Sequence, residues 1–160
     1  MRLERLLFCA FIFLLISALS VAQTSKENFA APLKDGLHKE FYPNGSLKWE
    51  TIYKNGKLSG ISKFYLENGA LKSESNYEEG LLNGLSRVYD NEGQLTEQNY
   101  KNGLLDGIIR YYYKNGKVEY EANYVKGLRE GIQKSYREDG ALKGEVNFYK
   151  GKASRSQSHS

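Results

Sequence analysis

Apolar and polar positions alternate along most of this chain in short runs, and glycine-bearing turns end each run. From Gly36 onward a half-unit reads Gly-apolar-x-basic-x-aromatic, closes on a turn, and continues as x-Leu-x-x-Glu-x-x-Tyr-x-x-Gly. Runs this short, rich in aromatic and branched residues and bounded by Asn-Gly, Glu-Gly or Asp-Gly, predict strand-turn-strand units. No stretch from residue 23 onward keeps a helical period long enough to compete.

The units recur. All sixteen glycines lie after residue 35, and only Gly144 is out of phase. The first set is Gly36, Gly60, Gly84, Gly107 and Gly131; the second is Gly45, Gly69, Gly93, Gly116 and Gly140; the third is Gly56, Gly80, Gly103, Gly127 and Gly151. The period is 24 residues, with one unit a residue shorter between Gly93 and Gly103. Such self-similarity marks a repeat architecture. The predicted fold is all-β: an elongated, single-layer antiparallel meander of five stacked hairpins, ten strands in all. Phe29 fits the slot of Tyr53 one period earlier, so a half-repeat should lead into Gly36. The repeats then span 29–151, with units starting near 36, 60, 84, 107 and 131. Residues 23–28 read as a linker and 152–160 as a disordered polar tail.

The turn decides which side chains share a face. A two-residue Asn44-Gly45 turn pairs Lys39 with Glu50. A three-residue Pro43-Asn44-Gly45 turn, glycine left-handed, pairs Lys39 with Trp49. The second is favoured, because the first would force Glu92 to positive φ. It also gathers Leu37, Phe41, Leu47, Trp49 and Tyr53 on one apolar face, with Glu40, Lys48 and Glu50 opposite. On that register the short third unit needs a bulge to keep Leu95 and Tyr100 together.

The N-terminus follows a different pattern. Met1 to Arg5 is a short basic start, Leu6 to Ile16 carries no charge, and Ser20-Val21-Ala22 puts small residues where a signal peptidase reads. Residues 1–22 are therefore expected to be a secretory signal helix, cleaved after Ala22, on a periplasmic or secreted protein. The 17 residues of Leu6–Ala22 are at the short end for a spanning anchor. Cleavage removes Cys9, the only cysteine, and with it any disulfide or thiolate metal site. The net charge of +4 is too mild to argue for nucleic acid.

Two sequence patterns resemble a known family: Tyr-x-x-Gly-x-x-x-Gly and Tyr-x-x-Asn-Gly-x-Leu-x-x-Glu. The run Tyr65 to Glu74, continued by Tyr77 to Gly84, is similar to the MORN repeat in its bacterial variant. The resemblance implies a sheet of stacked hairpins that acts as a scaffold or contact module, with no catalytic motif. Some eukaryotic relatives are linked to membrane lipids, and bacterial members are often called antitoxin-like. An export signal sits poorly with a cytosolic antitoxin.

Little suggests chemistry. His38 and His159 are far apart in sequence, so neither supports a metal site or a triad. No nucleophile elbow, phosphate loop or dinucleotide fingerprint occurs, and no cofactor is expected. Glu50, Glu74, Glu97, Glu121 and Glu145 recur once per unit, in like environments and ~10 Å apart, which does not suit an acid–base pair. The basic ladder Lys39, Lys63, Arg87, Arg110 and Lys134 shares the aromatic face in the favoured register. Its stems should cover rings; the sharper reading is a track for an anionic lipid, an acidic glycan or an acidic protein segment. Trp49, Tyr111, Tyr113 and Tyr120 fall outside the phased aromatic slots and are the candidate contact aromatics, with Trp49 and Tyr120 turned to the core. The function expected is an exported, non-enzymatic scaffold for protein or cell-envelope contacts. The alternatives are anionic lipid or glycan binding, and an antitoxin-like protein that binds a toxin. The open sheet ends are also possible self-association edges.

Overall fold

The computed structural model describes residues 34–154. The signal helix, the linker, the Phe29 slot and residues 155–160 lie outside the described residues. Within them the chain forms one 14-stranded antiparallel sheet. The strands are β1 (Gly36–Phe41), β2 (Leu47–Lys54), β3 (Lys57–Leu58), β4 (Gly60–Tyr65), β5 (Leu71–Glu78), β6 (Leu81–Tyr89), β7 (Leu95–Lys101), β8 (Leu104–Leu105), β9 (Gly107–Tyr112), β10 (Val118–Val125), β11 (Leu128–Arg129), β12 (Gly131–Tyr136), β13 (Leu142–Tyr149) and β14 (Lys152–Ala153). The path is β1-β2-β4-β5-β6-β7-β9-β10-β12-β13-β14, and β3, β8 and β11 each pair back on the strand before them. The predicted ten strands are the long ones. Four two-residue strands add to them, and β14 carries the array to Ala153, past the expected boundary at Gly151.

The first turn of each hairpin is the three-residue form. Gly45 N donates to Tyr42 O at 2.9 Å and Tyr42 N to Ser46 O at 2.8 Å, enclosing Pro43-Asn44-Gly45. Gly45 is left-handed at φ +85°. The pairing nevertheless departs from the expectation. Phe41 lies opposite Leu47, but Glu40 lies opposite Trp49 and Lys39 opposite Glu50. Lys48 is an extra residue, a β-bulge that shifts the register by one. Lys72, Glu119 and Lys143 occupy the same place in units two, four and five. The third unit has no shift: Tyr89, Val88 and Arg87 face Leu95, Thr96 and Glu97 in unbroken sequence. The missing residue of the short unit is therefore the bulge itself. The expectation that this unit needs a bulge is reversed.

This corrects the faces. On one face lie Leu37, Lys39, Phe41, Leu47, Glu50 and Ile52; on the other lie His38, Glu40, Trp49, Thr51 and Tyr53. Trp49 and Tyr53 are thus separated from Leu37, Phe41 and Leu47, and Glu50 from Glu40. The second face is the covered one. Its central row holds Thr51, Ser86, Ile109 and Ala122, which are buried. Ser75 and Ser86 bond to each other there at 2.7 Å. Small side chains at the centre leave room for the rings and leucines beside them, such as Tyr77 opposite Leu82. No large side chain among the described residues is fully buried. Stability must come from unit-to-unit contact along the array rather than from one central core.

The second turns stack these units. Asn55-Gly56 is a two-residue turn, both residues left-handed at φ +53° and +71°. Glu79, Lys126 and Lys150 take the same left-handed position, so the reluctance that argued against a two-residue turn at Glu92 does not keep glutamate out of this one. Gly80 N donates to Leu58 O at 2.9 Å, and Gly103, Gly127 and Gly151 repeat that bond to Leu82, Leu105 and Arg129. Each turn thus hangs on the unit before it.

Candidate functional site

The uncovered face is where the repeated polar chemistry gathers. Because of the bulge, each base of a first strand stands opposite the glutamate of its second strand: Lys39–Glu50, Lys63–Glu74, Arg87–Glu97, Arg110–Glu121 and Lys134–Glu145. Each glutamate also faces the base of the next unit, as in Glu50–Lys63, Glu74–Arg87, Glu97–Arg110 and Glu121–Lys134. The result is one row of ten alternating charges across the sheet. Ion pairs close to 3.4 Å for Lys39–Glu50, 3.7 Å for Lys63–Glu74, 3.5 Å for Arg87–Glu74, 3.0 Å for Arg87–Glu97 and 3.4 Å for Arg110–Glu121.

The phased tyrosines complete the row. Tyr65 donates to Glu50 at 3.3 Å, Tyr112 to Glu97 at 2.7 Å and Tyr136 to Glu121 at 3.0 Å. Each bond reaches back one unit, so the glutamates tie neighbouring hairpins together. The environment of Glu97 shows how strongly. Desolvation raises its pKa, but the Tyr112 hydroxyl and the Arg87 guanidinium outweigh it and hold the carboxyl below its ordinary value. In return, burial and the Glu97 carboxylate push the Tyr112 hydroxyl up. A depressed carboxyl stabilises the fold at pH above its unfolded value, and that contribution disappears as pH falls through the folded value. The melting temperature should therefore drop as acid is added below about pH 4. A Glu97→Gln variant should lose part of that slope, which a melting series at several pH values would read.

Each base of the predicted ladder thus has a carboxylate opposite it, and four of the five, Lys39, Lys63, Arg87 and Arg110, are ion-paired. In the predicted register its bases would have stood free beside rings; the bulge places carboxylates there instead. The candidate aromatics also find places. Trp49 lies on the covered face and donates from Nε1 to Glu40 at 2.7 Å. Tyr113 sits in a first turn and donates to Tyr136 O at 2.7 Å, as Tyr42 does to Tyr65 O at 2.8 Å. Tyr111 and Tyr120 come together on the covered face, ring centroids 5.3 Å apart. Burial raises the Tyr120 hydroxyl pKa. Beside them lies a residue that sequence reading missed. Two positions before the first-phase glycine stand Leu58, Leu82, Leu105 and then Arg129. Arg129 donates to the Tyr124 hydroxyl at 2.9 Å and sits 5.2 Å from the Phe148 ring centre. A charged residue in a leucine column was the available signal. Its guanidinium lies over both the Tyr124 and the Phe148 rings of the covered face.

His38 stacks edge-on against Tyr53 at 5.1 Å. Among the described residues no group of three or more His, Cys, Asp or Glu is placed to hold a metal ion.

The uncovered face has a second feature. Of the fourteen exposed large apolar residues among the described residues, only Phe64 and Val146 sit on the covered face. Leu37, Ile61, Ile108 and Ile132 line one side of the charge row, and Leu81, Leu104 and Leu128 continue the band onto the second turns. The exposed apolar positions recur from unit to unit on this face.

The family model described as MORN repeat variant matches the chain five times, over residues 34–55, 58–79, 82–102, 105–126 and 129–150. The chain belongs to the MORN repeat variant family. Each MORN match ends inside a second turn, so the family unit is one hairpin plus the turn that hangs it on its neighbour. MORN repeats are generally scaffolds that contact proteins or membranes. No curated protein matches the chain.

Proposed function

We propose that this MORN-repeat chain is an exported, non-enzymatic scaffold whose uncovered face binds a protein of the cell envelope. The observation that carries this reading is the apolar band. Among the described residues, twelve of the fourteen exposed large apolar side chains share one face of the sheet, and a patch of that extent on a folded protein marks an interaction surface. Five near-identical rungs would bind a partner through several modest contacts at once. The charge row beside the band supplies register more than attraction, because eight of its ten charges are already ion-paired within the row. That pairing also disfavours the anionic lipid or glycan reading, whose basic rungs each have a carboxylate across the strand. An antitoxin-like role would need a toxin partner in the compartment reached after export.

The test uses envelopes isolated from the source cells. The chain should sediment with them, and protease treatment of the envelopes should abolish this. Leu104→Asp with Leu128→Asp should weaken co-sedimentation about tenfold or more while leaving the circular dichroism unchanged, since both side chains are exposed. Binding that survives protease but disappears at high salt would instead support lipid or glycan. The mass of the chain recovered from the export compartment should correspond to cleavage after Ala22.

A further inference from the structure

We propose that Arg129 and the tyrosines beside it form a binding site for a carboxylate carried on an apolar body. The site lies on the covered face, so it goes beyond the envelope-binding reading of the opposite face and does not depend on it. After each second turn the chain pairs back on the strand before it, and its second residue stands opposite a ring. Leu58 lies opposite Tyr53, Leu82 opposite Tyr77, Leu105 opposite Tyr100 and Ala153 opposite Phe148. Arg129 lies opposite Tyr124 and is the one charged residue among these five. A leucine suffices beside the ring in three units, so packing against the ring does not call for a charge.

The charge has no counter-ion among the described residues. Of the four described arginines, Arg87 and Arg110 are ion-paired with glutamates and Arg137 is exposed. Arg129 is half-buried and makes no ion pair. Its surroundings are neutral. Nε donates to the Tyr124 hydroxyl at 2.9 Å, and Nη1 donates to Gln133 Oε1 at 3.3 Å. The ring centres of Tyr124 and Phe148 lie 6.0 and 5.2 Å from the guanidinium carbon. Ring faces attract a cation but leave its charge whole. A charge drawn partly out of water costs free energy until an opposite charge meets it.

A carboxylate fits the donors that are left. A guanidinium carries more N–H groups than the two used here, enough for the two-bond fork that arginine makes with a carboxylate. Tyr124 accepts from Nε, so its own O–H remains to donate. Burial pushes the Tyr120 hydroxyl pKa up and the Arg129 charge draws it partly back, so this phenol is a second protonated group in the field of the guanidinium. The apolar body also has a place. Val146 lies opposite Gln133 and is 41% exposed, so apolar surface adjoins the amide that holds Arg129. A short aliphatic chain laid on Val146 would bring its carboxylate to the guanidinium, whereas an inorganic anion would leave Val146 uncovered. Two sources share this chemistry: a free aliphatic acid, and a protein C-terminus that ends in an apolar residue.

The experiment is isothermal titration of the purified chain with hexanoate, hexanamide and acetate, with no envelope present. Hexanoate should bind with a Kd of about 1 mM or tighter. Hexanamide keeps the body without the charge, and acetate keeps the charge without the body; each should bind about tenfold more weakly or less. Arg129→Leu should abolish hexanoate binding without lowering the melting temperature, because it installs the residue found at Leu58, Leu82 and Leu105. Arg129→Lys keeps the charge but loses the fork, and should weaken hexanoate about tenfold; it carries the test if the leucine variant folds poorly. Acetylated alanyl-leucine separates the sources. A protein C-terminus is the ligand if this peptide binds more tightly than hexanoate and loses binding on amidation of its carboxylate; a free acid is the ligand if it binds more weakly. No hexanoate binding up to about 10 mM, equal binding of hexanamide, or binding that ignores both Arg129 variants would each overturn the proposal.

Discussion

Removing Lys72 should leave the array standing, while removing Ser75, three residues further along the same strand, should bring down its second and third units. Both deletions shorten β5 by one residue. Loss of Lys72 converts Leu71-Lys72-Ser73-Glu74 into the spacing of Leu95-Thr96-Glu97, which the third unit already uses without a register shift. Only an exposed bond from Lys72 to Asn91 is lost. The expected cost is within about 1 kcal/mol. Loss of Ser75 has no such precedent. If the bulge stays, Asn76 and Tyr77 change faces, and Tyr77 leaves its place opposite Gly60 and Leu82. If the bulge straightens to absorb the loss, Tyr77 is kept, but the Glu74 carboxylate moves to the covered face opposite Ser62, beside the buried Ser86. Either route forfeits the Ser75–Ser86 bond. The cost should be about 3 kcal/mol or more. Urea denaturation of the two variants, matched in length, reads the difference. Equal midpoints would mean that the bulge is not the adjustable residue of the unit.

That contrast shows how far the sequence could be read. The five units, their phase and the three-residue first turn followed from the glycines and from Glu92. The faces did not, because they depend on a residue whose side chain carries no mark. Lys48, Lys72, Glu119 and Lys143 look like ordinary outward positions, and a bulge is a backbone event. The clue was present but pointed the other way. Glutamate follows the leucine, or Val118 in the fourth unit, by three residues in four units and by two in the third. With a side-chain period of two, only the third unit places both on one face without a shift. Taking the majority spacing as regular made the short unit look defective, although it is the undistorted one. The surroundings of the basic ladder changed with the register, since one residue of slip puts a carboxylate, rather than a ring, opposite each base. The apolar band was legible residue by residue, but its confinement to one face was not.

A methyl group at Gly107 should destabilise the chain far more than one at Gly116, although both glycines are left-handed. At Gly116, φ is +79° and an added Cβ meets nothing within 4 Å. Alanine there should cost about 1 kcal/mol, for the backbone conformation alone. At Gly107, φ is +116° and the added Cβ would lie 3.0 Å from Asn99 Cβ. That neighbour is fixed to the backbone of β7 and cannot swing away as a side-chain tip would. Retreat of β9 is also resisted. Asn99 donates to Ile108 O at 2.8 Å, and two residues on, Arg110 faces Glu97 in the charge row. The clash therefore acts on the step between the third and fourth units, and Gly107→Ala should cost about 3 kcal/mol. The cause is separable from mere strain. Asn99→Gly removes the opposing Cβ, so the double variant should be less destabilised than the sum of the two single ones, by about 1 kcal/mol or more. Strictly additive losses would show that the conformation of Gly107, rather than the closeness of β7, sets the requirement for glycine.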